Sequence, residues 1–275
     1  MARRRYTIDA RRAAEFVKDG RGKGHDSAYK PWLTIQDVPS QGRCHRPLGM
    51  STGRIHHLLS DNERDLFLLL DWQSSTVDLR ERFPLNLDTT QDIADRLNIR
   101  HPRALPTTDL LVMTTDLVLD RRGTNGVETR AYAVKTATDL ENPRTLQKLE
   151  IEWHYWQERG IPWSIVTRSE LPQRLIDNIA WVHHFFRPDG VEDRLLVLIP
   201  LFLDEIAARL QVSLGGFCDV IDHRYGLQPG SSLLLMRHLL ASRTVTCDME
   251  QVVLNAKLPV SALTIDQRDR LRSRA

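Results

Sequence analysis

No apolar run in this chain is long enough to cross a bilayer. The longest, such as Leu195 to Leu203, fall well short of the ~20 residues a membrane-spanning helix needs. The first twenty residues are too polar for a secretory leader, so the expected compartment is the cytoplasm. Cysteine is scarce as well. Cys44, Cys218 and Cys247 are odd in number and scattered, which argues against a disulfide framework or a thiolate zinc site. An excess of either charge is missing too: 38 Lys plus Arg face 36 Asp plus Glu, a formal net charge of +2. Any nucleic-acid-binding surface therefore has to be local. Internal repeats and low-complexity tracts are absent, which excludes a solenoid or a long disordered linker. What is present is an ordinary globular composition, 41% hydrophobic and 27% charged, over 275 residues, a length that favours two domains.

The first 57 residues open on Arg3, Arg4 and Arg5, pass through a short helix from Ala10 to Lys18, and then become rich in Gly, Pro, Arg and His. Two stretches, Arg21-Gly-Lys-Gly-His25 and Arg43-Cys-His-Arg46, together with Arg54, His56 and His57, place donors where glycine allows close backbone approach. This arm reads either as a solvated loop or as a DNA phosphate contact through Arg43, Arg46, Arg54, His56 and His57.

From Ser60 the spacing of Leu66, Phe67, Leu69 and Leu70 predicts a helix through Trp72. Leu110 to Leu119 predicts a strand, with a turn over Asp120 to Gly126 and a return strand over Thr129 to Thr136. A helix from Pro143 to Arg159, stopped by Gly160, and a strand from Ile161 to Thr167 complete an α/β unit. The expected boundary falls there, giving domains 1–167 and 168–275. The second carries predicted helices at Pro172 to Phe186, Asp193 to Leu210, Leu214 to His223 and Ser231 to Ala241, then strand-like Thr244 to Cys247 and Val252 to Leu254. Helices closed by a small hairpin outline a winged helix; a helical scaffold with no nucleic-acid role is the alternative.

Four polar residues inside or beside these elements could carry chemistry. Asp116 interrupts an apolar strand, where a carboxylate costs several kcal/mol unless it is paired or bound to a metal. The hairpin can bring the face of Ala133 and Lys135 beside it. An acid on one strand and a residue-x-Lys on the next describe a metal-dependent nuclease centre, with carboxylates for a hard cation and lysine for the attacking water. Plainer readings stand beside this one. Ser60-x-x-Glu63 fits a capping box, Asp116 and Lys135 fit a structural ion pair, and Glu152 fits an i, i+4 partner of Lys148.

Several stretches occur in order over about residues 20 to 187: Lys30-Pro-Trp-Leu-Thr34, Gly53-Arg-Ile-His-His-Leu-Leu-Ser-Asp61 leading to Glu63, Thr115-Asp116, Val134-Lys135, Thr145-Leu-Gln-Lys-Leu-Glu-Ile-Glu152 with Tyr155-Trp156, and Ile161-Pro-Trp163. In these the chain resembles the TnsA endonuclease subunit of heteromeric cut-and-paste transposases. The resemblance implies a restriction-endonuclease-like catalytic domain followed by a mainly α, winged-helix-like domain. It also implies one or two Mg²⁺ ions, with Mn²⁺ able to substitute, and cleavage at the 5′ ends of a transposon. Double-stranded DNA at those ends, a TnsB-like transposase subunit and a TnsC-like ATP-dependent regulator are the implied partners, inside a bacterium and on the nucleoid when acting.

Carried across residue by residue, the metal carboxylates fall on Glu63 and Asp116, the active-site lysine on Lys135, and a further ligand on the Val134 carbonyl. Where the family commonly has a polar or acidic side chain two residues before the lysine, this chain has Ala133, so water, Glu150 or Glu152 would have to fill that position. A buried stripe of Leu146, Leu149, Trp153 and Trp156 sets Glu152 near its edge. A stand-alone restriction-like nuclease and a non-catalytic assembly module are the rival readings. The arginine-rich tail, residues 266–275, reads as a frayed end or as a docking segment for the regulator or DNA.

Overall fold

A computed structural model describes residues 8–38, 42–188, 193–208 and 211–265. The Arg3 to Arg5 run and the 266–275 tail lie outside the described residues. The chain divides into two compact units, Met1–Leu171 and Pro172–Ala275.

Helix α1, Ala10–Lys18, starts where the Asp9 carboxylate accepts the Arg12 N–H. Helix α2, Asp61–Asp71, starts in the same way at Ser60, whose Oγ accepts the Glu63 N–H at 3.1 Å. Strand β1, Thr76–Pro84, and helix α3, Leu87–Arg96, then lead to β2, Thr114–Gly123, and β3, Gly126–Val134. Two helices follow, α4 over Ala137–Glu141 and α5 over Pro143–Gln157, and then β4 over Trp163–Val166.

The four strands form one sheet in the order β1-β2-β3-β4; the first two pairings are antiparallel and β3 with β4 is parallel. A parallel pair needs a crossover, and α4 and α5 supply it. Alternation along β2 and β3 sends Val118 and Ala131 to one face, where they pack with Ile93 and Ala94 of α3 and Ile151, Tyr155 and Trp156 of α5. Helix α2 packs against β1 and β2. The α/β class read from the sequence is therefore present.

Two expectations for this unit need correcting, and strand β1 has no counterpart in the sequence reading: Asp78, Arg80, Glu81 and Arg82 do not fit an apolar strand pattern. Asp78, Arg80 and Glu81 are buried, and pairing between charges is what permits it. The expected strand at Leu110 to Leu119 starts later, at Thr114, and continues to Gly123 because its polar end is paired: Asp120 takes Arg80 and Thr129, and Arg121 takes Glu128. The stripe on α5 is rotated from the one expected: Leu149, Ile151, Glu152, Tyr155 and Trp156 are buried, whereas Leu146 and Trp153 are exposed.

In the second unit, α6 is Gln173–His183, and the single helix expected over Asp193 to Leu210 is two, α7 at Asp193–Val197 and α8 at Ile199–Ala208. Pro200 accounts for the break, since it cannot donate a helical hydrogen bond. Helices α9, Leu214–Arg224, and α10, Ser231–Ala241, follow, and Asp222 carboxylate oxygens accept the Gly230 and Ser232 N–H groups at the start of α10. The small sheet pairs β5, Val245–Thr246, with β6, Thr264–Ile265. Val252 to Leu254 is not its second strand: this stretch is irregular, and Asn178 fixes it by donating to the Met249 and Val252 carbonyls and accepting the Leu254 N–H.

Candidate active site

Asp116 stands on β2 with its carboxylate buried between two cations. Its Oδ2 accepts from Lys135 Nζ at 2.6 Å and from the Val134 N–H at 2.8 Å, and its Oδ1 accepts from Arg82 Nη1 at 2.7 Å. Lys135 Nζ also donates to the Val134 carbonyl at 2.9 Å. Burial pushes the Asp116 carboxyl up, yet Lys135, Arg82 and these hydrogen bonds outweigh it and hold the group below the usual carboxylate range. Burial pulls Lys135 down, and Asp116 with Glu152 overcomes that, so the ammonium is held charged.

Glu63 reaches the same place from the first turn of α2. Its Oε2 accepts the Leu59 N–H at 2.9 Å, so it reaches back one residue beyond the Ser60 N–H that a capping box would use. Its Oε1 accepts from Arg82 Nη2, and one guanidinium thus bridges Glu63 and Asp116. The sequence reading missed Arg82. The nearest signal in the sequence is the lone carboxylate on β2, which needs a cation and finds one already in Lys135.

Glu152 is buried on α5, with Oε1 accepting from Thr115 Oγ1 at 2.7 Å and from Trp163 Nε1 at 3.0 Å. Burial and the neighbouring Asp116 charge push its carboxyl up to about 7, against the pull of Lys135 and its two donors. The i, i+4 pairing with Lys148 expected on α5 is not among the ion pairs of the described residues; on that helix His154 pairs with Glu150 at 3.3 Å. Lys148 instead lines, with Arg82, Asp116, Lys135 and Glu152, a cleft of about 260 Å³. Its own pKa is lowered, by burial first and then by Arg144 and Lys135, as befits one of several cations crowded together.

The raised Glu152 pKa carries a stability prediction. In the folded state the group holds its proton from the ordinary carboxylate range up to about 7, so its contribution is present below the unfolded pKa and is lost as pH rises through the folded one. Urea unfolding in EDTA should show Glu152→Gln gaining on the wild type between about pH 4.5 and 7, by roughly 2 to 3 kcal/mol. A difference that stays flat across that interval counts against a protonated Glu152.

The arm residues separate into two groups. Arg43 is exposed and touches Asp61 at 3.3 Å, Arg46 is exposed, and His57 is half-buried with burial, then Arg46 and other cations, holding its pKa down against Glu81. Arg54 and His56 are core residues, which corrects their expected place on a DNA-facing surface. The Arg54 guanidinium grips Glu81 at 2.9 and 2.5 Å and the Leu79 carbonyl at 2.8 Å, while the fully buried His56 meets Glu81 at 2.9 Å and Thr52 at 2.8 Å. Elsewhere on the sheet, His25, Asp78 and Asp120 bring ligand-type atoms within 4.8 Å of one another. Arg80 already lies among them, with Nη2 on Asp120 at 2.7 Å and Nε 3.5 Å from Asp78. This group contains none of Glu63, Asp116, Lys135 and Glu152.

Residues 73–168 match the family model described as TnsA-like endonuclease N terminal, and residues 170–249 match that described as TnsA endonuclease C terminal. Asp116, Lys135, Glu152 and Arg82 fall inside the first span, and Glu63 precedes it. The chain is also 38% identical over 242 residues to the Transposon Tn7 transposition protein TnsA of Escherichia coli, covering 88% of this chain and 87% of that protein.

Proposed function

The chain belongs to the TnsA endonuclease family, and on that premise we propose that it hydrolyses DNA phosphodiesters at the 5′ ends of a transposon, in a bacterial cytoplasm and in complex with a TnsB-like transposase and a TnsC-like regulator. The observation that supports this reading best is the joining of Asp116 to Lys135, which also meets the Val134 carbonyl, and through Arg82 to Glu63, with Asp116, Lys135 and Arg82 lining one cleft.

Two carboxylates and a backbone carbonyl are hard oxygen donors of the type Mg²⁺ takes, so the donor set fits the ion. Glu63, Asp116 and the Val134 carbonyl would hold it, and when bound it supplies an acidified water and neutralises charge on the phosphorane. Lys135, its pKa held up by Asp116 and Glu152, lines the cleft and would offer a charged donor to the attacking water or the scissile phosphate. Glu152, with its pKa near neutrality, can take or return a proton within the same cleft. Ala133 is fully buried and brings no donor, which leaves its place in the ligand set to water or to Glu152. The exposed Arg43 and Arg46 are the arm residues suited to the DNA backbone.

The test is cleavage of a transposon-end duplex by the assembled complex. Activity is expected to vanish in EDTA and to return with Mg²⁺ or Mn²⁺. Cleavage that persists in EDTA would overturn the metal assignment. Strong end binding and cutting by this chain alone would overturn its role as a subunit.

A further inference from the structure

The mechanism above leaves Arg82 without a task, although it makes more contacts with the proposed metal carboxylates than any other cation. Its two Nη atoms occupy one oxygen each of Glu63 and Asp116, and its Nε is buried with no hydrogen-bond partner. The charge of the group is already balanced: Glu63 and Asp116 against Arg82 and Lys135. A divalent cation approaching such a neutral group gains little net attraction, and it finds the facing oxygens covered. Arginine cannot give way by losing a proton, so it has to move.

The place of Arg82 gives its side chain access to the cleft. It lines the cleft beside Lys135 and Lys148, and its side chain is 13% exposed. Its backbone sits at φ 49° inside a strand, a left-handed conformation unusual for a non-glycine residue, and its carbonyl accepts from the Trp32 N–H at 3.2 Å. Two residues earlier on β1, Arg80 makes a similar grip on Asp120, but Thr129 also serves that carboxylate and Arg80 is not among the residues lining the cleft. Among the described residues, Arg82 alone combines the bridge between Glu63 and Asp116 with a place in the cleft wall. A planar guanidinium fork with a spare Nε–H suits a phosphate at least as well as it suits two separate carboxylates.

We infer that Arg82 is a phosphate ligand for the DNA, held against Glu63 and Asp116 while the cleft is empty, so that its transfer to the backbone frees both carboxylates and couples metal loading to DNA binding. The inference rests on the reading of Glu63 and Asp116 as metal ligands.

The experiment measures two affinities on the full chain, for wild type and Arg82→Gln. Mn²⁺ binding without DNA is followed by calorimetry, together with the Mn²⁺-induced rise in melting temperature. Retention of a short duplex at low salt is followed by anisotropy, with Ca²⁺ present. Arg82→Gln should bind Mn²⁺ about tenfold more tightly or better and show the larger melting shift, because the competing cation is gone. The same variant should hold the duplex several-fold less well. These opposite signs are what a merely structural arginine could not produce. Should Arg82→Gln lose cooperative unfolding, Arg82→Lys, which keeps the charge but lacks the fork, is expected to shift both affinities in the same directions by a smaller factor. Mn²⁺ affinity at or below wild type, or unchanged duplex retention, overturns the inference and leaves the metal reading standing. No Mn²⁺ bound by either protein overturns both.

Discussion

Asp116→Asn should lower end cleavage by about 10³-fold or more while the protein still folds, because it withdraws a charged metal ligand at nearly constant volume. Asparagine is a better probe than alanine here. Seen as a lone buried charge, Asp116 looks like a group whose removal would relieve the fold. The structure gives it Lys135 and Arg82 as partners, both largely buried, and truncation would leave Arg82 on Glu63 alone and Lys135 without its paired carboxylate. Breaking such a group costs about 3 kcal/mol or more. An amide still accepts from one cation, so part of that loss is avoided, and urea unfolding in EDTA measures what remains.

The sign with pH follows from the depressed Asp116 pKa. Its contribution is present above the ordinary carboxylate range and disappears as pH falls through the lower folded value, so it is complete at neutral pH, where cleavage is assayed. Removing Asp116 also withdraws the largest influence holding the Lys135 pKa up, so the Lys135 pKa falls in the variant. A folded Asp116→Asn protein that cuts ends at the wild-type rate would end the assignment of this cleft as the catalytic centre.

What could be read in advance was the part of the site that local chemistry dictates. An acid inside an apolar strand needs a cation, and a hairpin can deliver a residue-x-Lys to it; Asp116 and Lys135 meet at 2.6 Å. Glu63 was legible as a helix-start residue, though not its reach past Ser60 to the Leu59 N–H. Strand β1 was illegible for a physical reason. Hydrophobic periodicity treats charge as a mark of solvent, whereas here Arg80, Glu81 and Arg82 are paired with partners distant in sequence, from Arg54 to Asp120. Missing that strand also hid Arg82, the residue lying between the two carboxylates. Gly, His and Arg in the arm look the same whether they face DNA or wrap a buried glutamate.

Glu81 accounts for the largest expected effect on the fold. It is fully buried and accepts from the Arg54 guanidinium through both oxygens, while one oxygen also meets His56 and the other the His57 N–H. Burial alone would raise its pKa, but His56 and Arg54 pull it far below the usual range, so its stabilisation is in place above the ordinary carboxylate pKa and survives to strongly acid pH. Glu81→Ala should therefore cost about 3 to 5 kcal/mol at neutral pH, since it strands Arg54 inside the protein. Arg54→Ala should cost a similar amount by stranding Glu81. Both would weaken DNA binding, and on that result alone Arg54 would pass for a phosphate contact. The salt dependence separates the two causes. Arg43→Ala and Arg46→Ala, at exposed positions, should leave the melting temperature unchanged and each reduce the slope of log K against log salt by about 1. Arg54→Ala should lower the melting temperature, while the fraction that remains folded binds DNA with the wild-type slope. A reduced slope at full stability would return Arg54 to the DNA interface, which its grip on Glu81 and Leu79 opposes.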